Sequence, residues 1–329
     1  MNKIVRLFTL AVLASGFVFL GFAGVRSVYA QSAGNGVKVS PIRSDITINP
    51  GESKTITLTV QNITGVSVQY EAVVNDIVPS GEAGQPALIL DADKYAPSHS
   101  LKRYIAPIAP TQIPAGESKD VKVTINIPKD TAAGGYYGAV RFAPNNGKGD
   151  KNVTLAASVG SIILVKVPGD IKEDMIIDSF DVREGTQGVG GSSFFTTNKD
   201  LYSVVRFKNR GDSHEQPFGK IRVLKDGTVV QESEINNTEP RGNVLPDSIR
   251  RFDTKLDKVG TFGKYTVEGN FGYGTSGQLL SAKTTFWVVP LGLIIGVIAA
   301  IATIVLAIIF VPKAIKKYNK SVVRKAGRR

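Results

Sequence analysis

Two histidines, His99 and His214, and the absence of any cysteine set the first limits on what chemistry this chain can do. Without cysteine there is no disulfide, thiolate metal site, thiol nucleophile or lipidated N-terminal cysteine. The histidines fall in different halves of the chain, so a two-histidine metal centre requires those halves to fold onto each other. Asp212-Ser213-His214-Glu215 contains the residue types of acyl transfer. Triad members converge from separate elements, however, and four neighbours in sequence read as a polar loop. Asp91, Asp93, Asp174, Asp178 and Asp181 offer carboxylate oxygens, but their spacing does not match a calcium loop and they read as solvated loops and strand faces. No nucleophile elbow, phosphate-cradling loop or dinucleotide fingerprint is present. The sequence therefore reads as a non-enzyme, with no catalytic residue, metal ligand or cofactor assigned.

Recognition is a better match to the residues. Gly134-Gly135-Tyr136-Tyr137-Gly138 places glycines, which permit close backbone approach, next to tyrosines, which offer flat faces and hydroxyls to a glycan or a protein. The stretch reads as a strand. If Gly138, Val140 and Phe142 face a core, Tyr136 shares their side, and Tyr137 and Arg141 point outward as the candidate partner-binding surface. On this reading Tyr137→Ala leaves stability nearly unchanged while weakening binding, whereas Val140→Ala removes core volume.

The elements that position these residues are short β-branched runs separated by turn residues. Residues 37–48, 53–61, 66–74, 88–90, 104–108, 118–127, 136–142 and 153–167 read as the strands of one β-sandwich. Ile56, Leu58 and Val60 alternate with Thr55, Thr57 and Thr59, so one face is buried and the other wet; Val121, Val123, Ile125 and Ile127 repeat the pattern. Gly51-Glu52-Ser53-Lys54 and Gly116-Glu117-Ser118-Lys119 both read as turns launching a strand. A second set follows Pro168-Gly169-Asp170, at 175–182, 201–208, 220–224, 228–232, 248–256, 265–273 and 279–288. Asp226-Gly227 signals a hairpin, Tyr265 a tyrosine corner, and glycine-rich 185–193 a flexible loop. The expected fold class is all-β: two tandem immunoglobulin-like β-sandwich domains, at 37–168 and 171–287.

Residues 288–311 carry no charge and as a helix would rise about 36 Å, more than the ~30 Å hydrocarbon core of a bilayer. Trp287 stands at the entry, and Lys313, Lys316, Lys317, Lys320, Arg324, Lys325, Arg328 and Arg329 follow the exit, so residues 312–329 read as a cytoplasmic tail. At the other end, Lys3 and Arg6, the apolar run 7–22 and Val28-Tyr29-Ala30 read as a signal peptide over 1–30, with an uncleaved signal anchor as the alternative. Either way residues 31–287 are expected on the outer face of the cell membrane. The net charge of +12 is concentrated in these two ends, which leaves the exported part nearly neutral and argues against a nucleic-acid partner.

Residues 114–142, PAGESKDVKVTINIPKDTAAGGYYGAVRF, resemble a stretch of the WxL-interacting proteins, cell-surface proteins of Gram-positive bacteria. Pro128-Lys129-Asp130 before the glycine-tyrosine segment, and Gly263-Lys264-Tyr265 with Phe286-Trp287-Val288-Val289-Pro290 before the anchor, are the most specific shared pieces. The resemblance implies a signal peptide, two β-sandwiches, a membrane helix and a basic tail. It further implies peptidoglycan binding by the first domain and binding of secreted WxL-type surface proteins by the ectodomain, with no binding residue carried over. The first domain alone, residues 37–168, is then expected to fold and bind. The alternative is a chaperone-like accessory of surface-protein secretion or assembly that acts through exposed strand edges.

Overall fold

A computed structural model describes residues 36–145, 158–187 and 190–326. The expected signal peptide, and residues 153–157 of the last strand expected in the first domain, lie outside the described residues.

Nine strands build the first sandwich: β1 (Val37–Ser40), β2 (Arg43–Thr47), β3 (Ser53–Asn62), β4 (Val68–Val78), β5 (Ala87–Leu88), β6 (Thr111–Ile113), β7 (Ser118–Asn126), β8 (Gly134–Pro144) and β9 (Val159–Val167). One sheet has the order β1-β3-β7; the other runs β2-β9-β8-β4-β5, with β6 also on β4. The run at 37–48 is thus two strands in two sheets. Pro41 sits between them, and a residue without an N–H cannot continue a ladder. The alternation in β3 and β7 sends Leu58, Val60, Val123 and Ile125 into the core, where they meet Val140, Phe142, Ile163 and Val165 of the facing sheet. Their polar partners stay out: Thr55 and Thr124 share a hydrogen bond of 2.9 Å, and Thr59 donates to Asp120 at 2.8 Å. Residues 104–108 form no strand; a 3-10 turn over Lys102–Tyr104 leads into a single bridge between Ile105 and Ile125. Because Val140 is fully enclosed, Val140→Ala is expected to lower stability by roughly 1–3 kcal/mol, readable in chemical denaturation.

Eight strands build the second sandwich. Strands β10 (Met175–Glu184), β12 (Leu201–Asn209) and β15 (Ile249–Lys255) form one sheet in the order β10-β12-β15. The other contains β11 (Phe194–Phe195), β13 (Phe218–Lys225), β14 (Thr228–Ile235), β16 (Gly263–Tyr273) and β17 (Gln278–Val288), in the order β11-β17-β16-β13-β14. Between them lie Val205, Phe207, Val223, Val267, Phe271 and Phe286. Asp226 and Gly227 take φ of 50° and 80°, as the Asp-Gly hairpin requires. Tyr265 closes its corner: its hydroxyl accepts the N–H of Gly260 at 2.9 Å.

Helix α1 spans Leu291–Ala326. It starts three residues later than the charge-free run because Val288 is still the end of β17, fully buried against the sandwich core. Its apolar part, 291–311, is exposed and rises about 31 Å, close to the thickness of a bilayer core. By length and composition it is one helix able to cross a membrane. The helix then continues through Pro312.

Candidate functional site

The glycine-tyrosine segment opens β8, and the structure places it against the second sandwich. The N–H of Gly135 donates to the backbone oxygen of Asp212 at 2.8 Å. Gly134 has φ of 144°, and a Cβ there would lie 2.8 Å from the same oxygen. A Cβ on Gly135 would run into the Tyr137 hydroxyl. Gly134 makes room for a loop of the other domain, and Gly135 for the hydroxyl of Tyr137.

Strand alternation assigned the faces correctly but did not show what covers them. Tyr136 packs on the first core with Val140 and Phe142, and Tyr137 lies on the opposite face. That face is not free. Tyr137 is only 2% exposed, buried with Ile77, Ala139 and Leu164 and covered by Leu245 of the second sandwich. Its ring centroid is 5.9 Å from His99 and 5.6 Å from His214, so the two halves of the chain do meet and bring both histidines to one tyrosine. Among the described residues no group of three potential ligands that could hold a metal ion accompanies them. Arg141 is also committed within its own domain: Nε donates to Asn75 Oδ1 at 2.8 Å and a terminal nitrogen to Ser158 Oγ at 2.6 Å. The expected Tyr137/Arg141 binding surface is therefore corrected to a covered joint at Tyr137 and an internal hydrogen-bond network at Arg141.

Polar groups lock the same joint. Asp45 on β2 accepts from Arg43 at 2.7 Å and lies 3.3 Å from His214 Nε2, while Arg43 also donates to the backbone oxygen of Arg241 at 2.9 Å. Burial pushes the Asp45 carboxyl up, but the hydrogen bonds from His214 and Arg43 outweigh it and bring the pKa down to about 2. A second contact comes from the β4–β5 loop. The backbone oxygen of Glu82 accepts from Arg251 N at 2.9 Å on the edge strand β15, and the Glu82 carboxylate pairs with Arg206. Arg43, Asp45, Glu82 and Arg206 carried no signal in the sequence for their contacts across the joint, each of which reaches a residue more than a hundred positions away.

Asp212-Ser213-His214-Glu215 is thus the loop of the second domain that docks on the first. Glu215 is 5% exposed, and burial, with the nearby Glu173 carboxylate, raises its pKa from 4.5 to about 7 against the pull of Lys166. A carboxyl with a raised folded pKa contributes stability below its ordinary pKa that is lost as pH rises through the folded value. The thermal midpoint is expected to fall between pH 4.5 and about 7, and Glu215→Gln to flatten that slope; an unchanged slope in the variant would assign it to other groups. Asp45 acts in the opposite sense, its contribution being lost only as pH falls through about 2.

Carboxylates read as solvated loops and strand faces pair with nearby cations. Asp91 pairs with Lys94 at 3.2 Å, and Asp174 with Arg210 at 2.8 Å and Lys172 at 3.1 Å. On the outer face of the second sandwich, Phe218, Arg222, Arg241, Asn270 and Leu279 line an open cavity of about 460 Å³.

No protein-family model matches the chain, and no curated protein matches it in sequence. Solved structures do match. Bacterial chaperones, two of them of fimbriae or pili, are among them. The class 5 fimbriae chaperone CfaA is 16% identical, covering 78% of this chain and all of its own, with a TM-score of 0.34. The CsuC–CsuE chaperone–tip adhesion subunit complex of archaic Csu pili from Acinetobacter baumannii is 14% identical over 75% of this chain and 97% of that one, TM-score 0.34. The E. coli chaperone DraB is 14% identical over 77% and 96%, TM-score 0.33. At these identities and TM-scores no activity or partner is carried across.

Proposed function

We propose that this chain is a single-pass, membrane-anchored binding protein of the WxL-interacting type, which holds a secreted WxL-type surface protein, peptidoglycan or both on the outer face of the membrane. The observation that supports the reading is the continuity of the load path. The two sandwiches are locked through Tyr137, His214 and Asp45, and the last strand is hydrogen-bonded as far as Val289, one residue before Pro290 and the apolar helix. A post of this kind holds the first sandwich at a fixed position relative to the helix end of the chain. With Tyr137 withdrawn from the surface, the outward polar face of β3 and β7, including Thr57 and Lys122, is the open area of the first sandwich opposite its second sheet.

The test is retention of purified peptidoglycan and of a purified secreted WxL-domain protein by the full chain in lipid nanodiscs. The reading expects one or both to be held, and held equally when Glu215→Gln is introduced. Failure to hold either at micromolar concentration removes the tether.

A second reading, a chaperone-like accessory of secretion or assembly, is favoured by one strand edge. Strand β2 pairs with β9 only from Ile162 onward, so the half-buried Val159 and Gly160 have β8 on one side and no strand among the described residues on the other. An added strand from a partner would bond there. This reading expects binding of an unfolded secreted chain and suppression of its aggregation; the tether expects binding of the folded partner.

A further inference from the structure

We propose that the base of the second sandwich is itself a lipid-binding surface, seated in the headgroup layer of the membrane through Phe194, Phe262 and Trp287. The proposal rests on α1 spanning the bilayer, and goes beyond it by placing residues distant in sequence from the helix at the same depth. The end of the sheet runs directly into the helix: Trp287 N donates to Ser193 O at 2.8 Å, Val289 N donates to Phe195 O at 2.9 Å, and Leu293 N already bonds Pro290 O within the first helical turn. The sheet therefore ends within two residues of the helix start, and whatever side chains ring that end must meet the bilayer surface.

Those side chains are large, aromatic and bare. Phe194 is 48% exposed, Phe262 51% and Trp287 45%, although each lies beside a well-packed core. Their positions follow from the register. Phe194 pairs with Trp287 across β11 and β17, while Phe195 turns inward onto Phe286 at 5.7 Å, so Phe194 and Trp287 share the outer face. Phe262 immediately precedes Gly263, the partner of Val288. Cations stand at the same level: Lys264 pairs with Trp287 and holds its ammonium 6.0 Å from the indole centroid, and Lys225 donates to the Phe262 oxygen at 3.3 Å. Rings with adjacent polar groups are the composition of an aromatic belt at the membrane–water boundary, where exposure of the ring to headgroups costs less than exposure to water. Asp226 follows Lys225 in the β13–β14 turn, so the patch carries both signs and its affinity comes from the rings; zwitterionic lipid suffices.

The experiment uses the full chain reconstituted in phosphatidylcholine vesicles, where Trp287 is the sole tryptophan. Phe194→Trp and Phe262→Trp are each made on a Trp287→Phe background, and quenching by lipids brominated near the carbonyls is compared with quenching by aqueous acrylamide. The expected result is lipid quenching at all three positions, with acrylamide quenching several-fold below that of a free tryptophan. If Trp287 is quenched by lipid while the tryptophans at 194 and 262 respond only to acrylamide, the helix spans but the domain stands clear, and the proposal is overturned. If none is quenched by lipid, the membrane reading falls and takes the proposal with it. Thr261→Cys carrying an environment-sensitive fluorophore repeats the measurement without altering an aromatic ring; an aqueous emission there on vesicles would contradict the proposal equally.

Discussion

Tyr137→Ala is expected to uncouple the two sandwiches and to lower the thermal midpoint by roughly 10 °C, with a loss of about 3–5 kcal/mol. The ring is 2% exposed and sits between His99 and His214, with Ala139, Leu164 and Ile77 beside it. Truncation leaves a cavity that backbone on both sides cannot close, since Gly135 is tied to Asp212 and Tyr137 itself to His99 through N–H to O at 2.9 Å. Differential scanning calorimetry should show one transition splitting into two. A single, unshifted transition would mean that the ring contributes nothing to the joint. Burial of Tyr137 in the joint also changes what is expected of the isolated first domain. Residues 37–168 alone would leave Tyr137, Ala139 and Leu164 uncovered, so that fragment is expected to be less stable than the pair and prone to self-association.

The second large effect concerns where the chain is cut. Termination after Pro290 removes α1 but keeps Phe286 and Val288, both fully buried in the second core. The product is expected to lose its integral attachment to the membrane, leaving only the reversible contact of Phe194, Phe262 and Trp287, with its thermal midpoint nearly unchanged. Termination five residues earlier, after Thr285, removes Phe286 from its stacked contact with Tyr265 at 5.4 Å and takes the pairing partners of β11 with it. That protein is expected to lose the second sandwich altogether, because burying an aromatic of this size stabilises by about 3–5 kcal/mol, a large fraction of a domain's net stability. Circular dichroism on the two products separates the cases; equal stability would contradict the strand-to-helix boundary at Val288.

These cases show what the sequence carries and where it stops. Period-two alternation in residues 53–61 and 118–127 located β3 and β7 and their buried faces, because side-chain direction along a strand is a local property. The Asp226-Gly227 turn and the Tyr265 corner were legible for the same reason. Strand β11 was not. Phe194–Phe195 follows a glycine-rich stretch and becomes a strand only by pairing in parallel with the end of β17. The start of the helix was misplaced because Val288 is as apolar as the residues after it, and only its burial against the core distinguishes them. The glycine-tyrosine segment was singled out correctly as a place of close backbone approach. What approaches it is Asp212, from the other sandwich, and pairing between domains leaves no periodic trace in either segment.

The central claim is that the two sandwiches are one body, held by the joint at Tyr137. The absence of cysteine allows a direct measurement, since spin labels at Thr57→Cys in the first sandwich and Ser281→Cys in the second, both exposed positions, will be the only labels in the chain. Double electron–electron resonance is predicted to give one narrow distance distribution in the otherwise unaltered protein, broadening when Tyr137→Ala is added. A broad or multiply peaked distribution before that substitution would contradict a fixed joint.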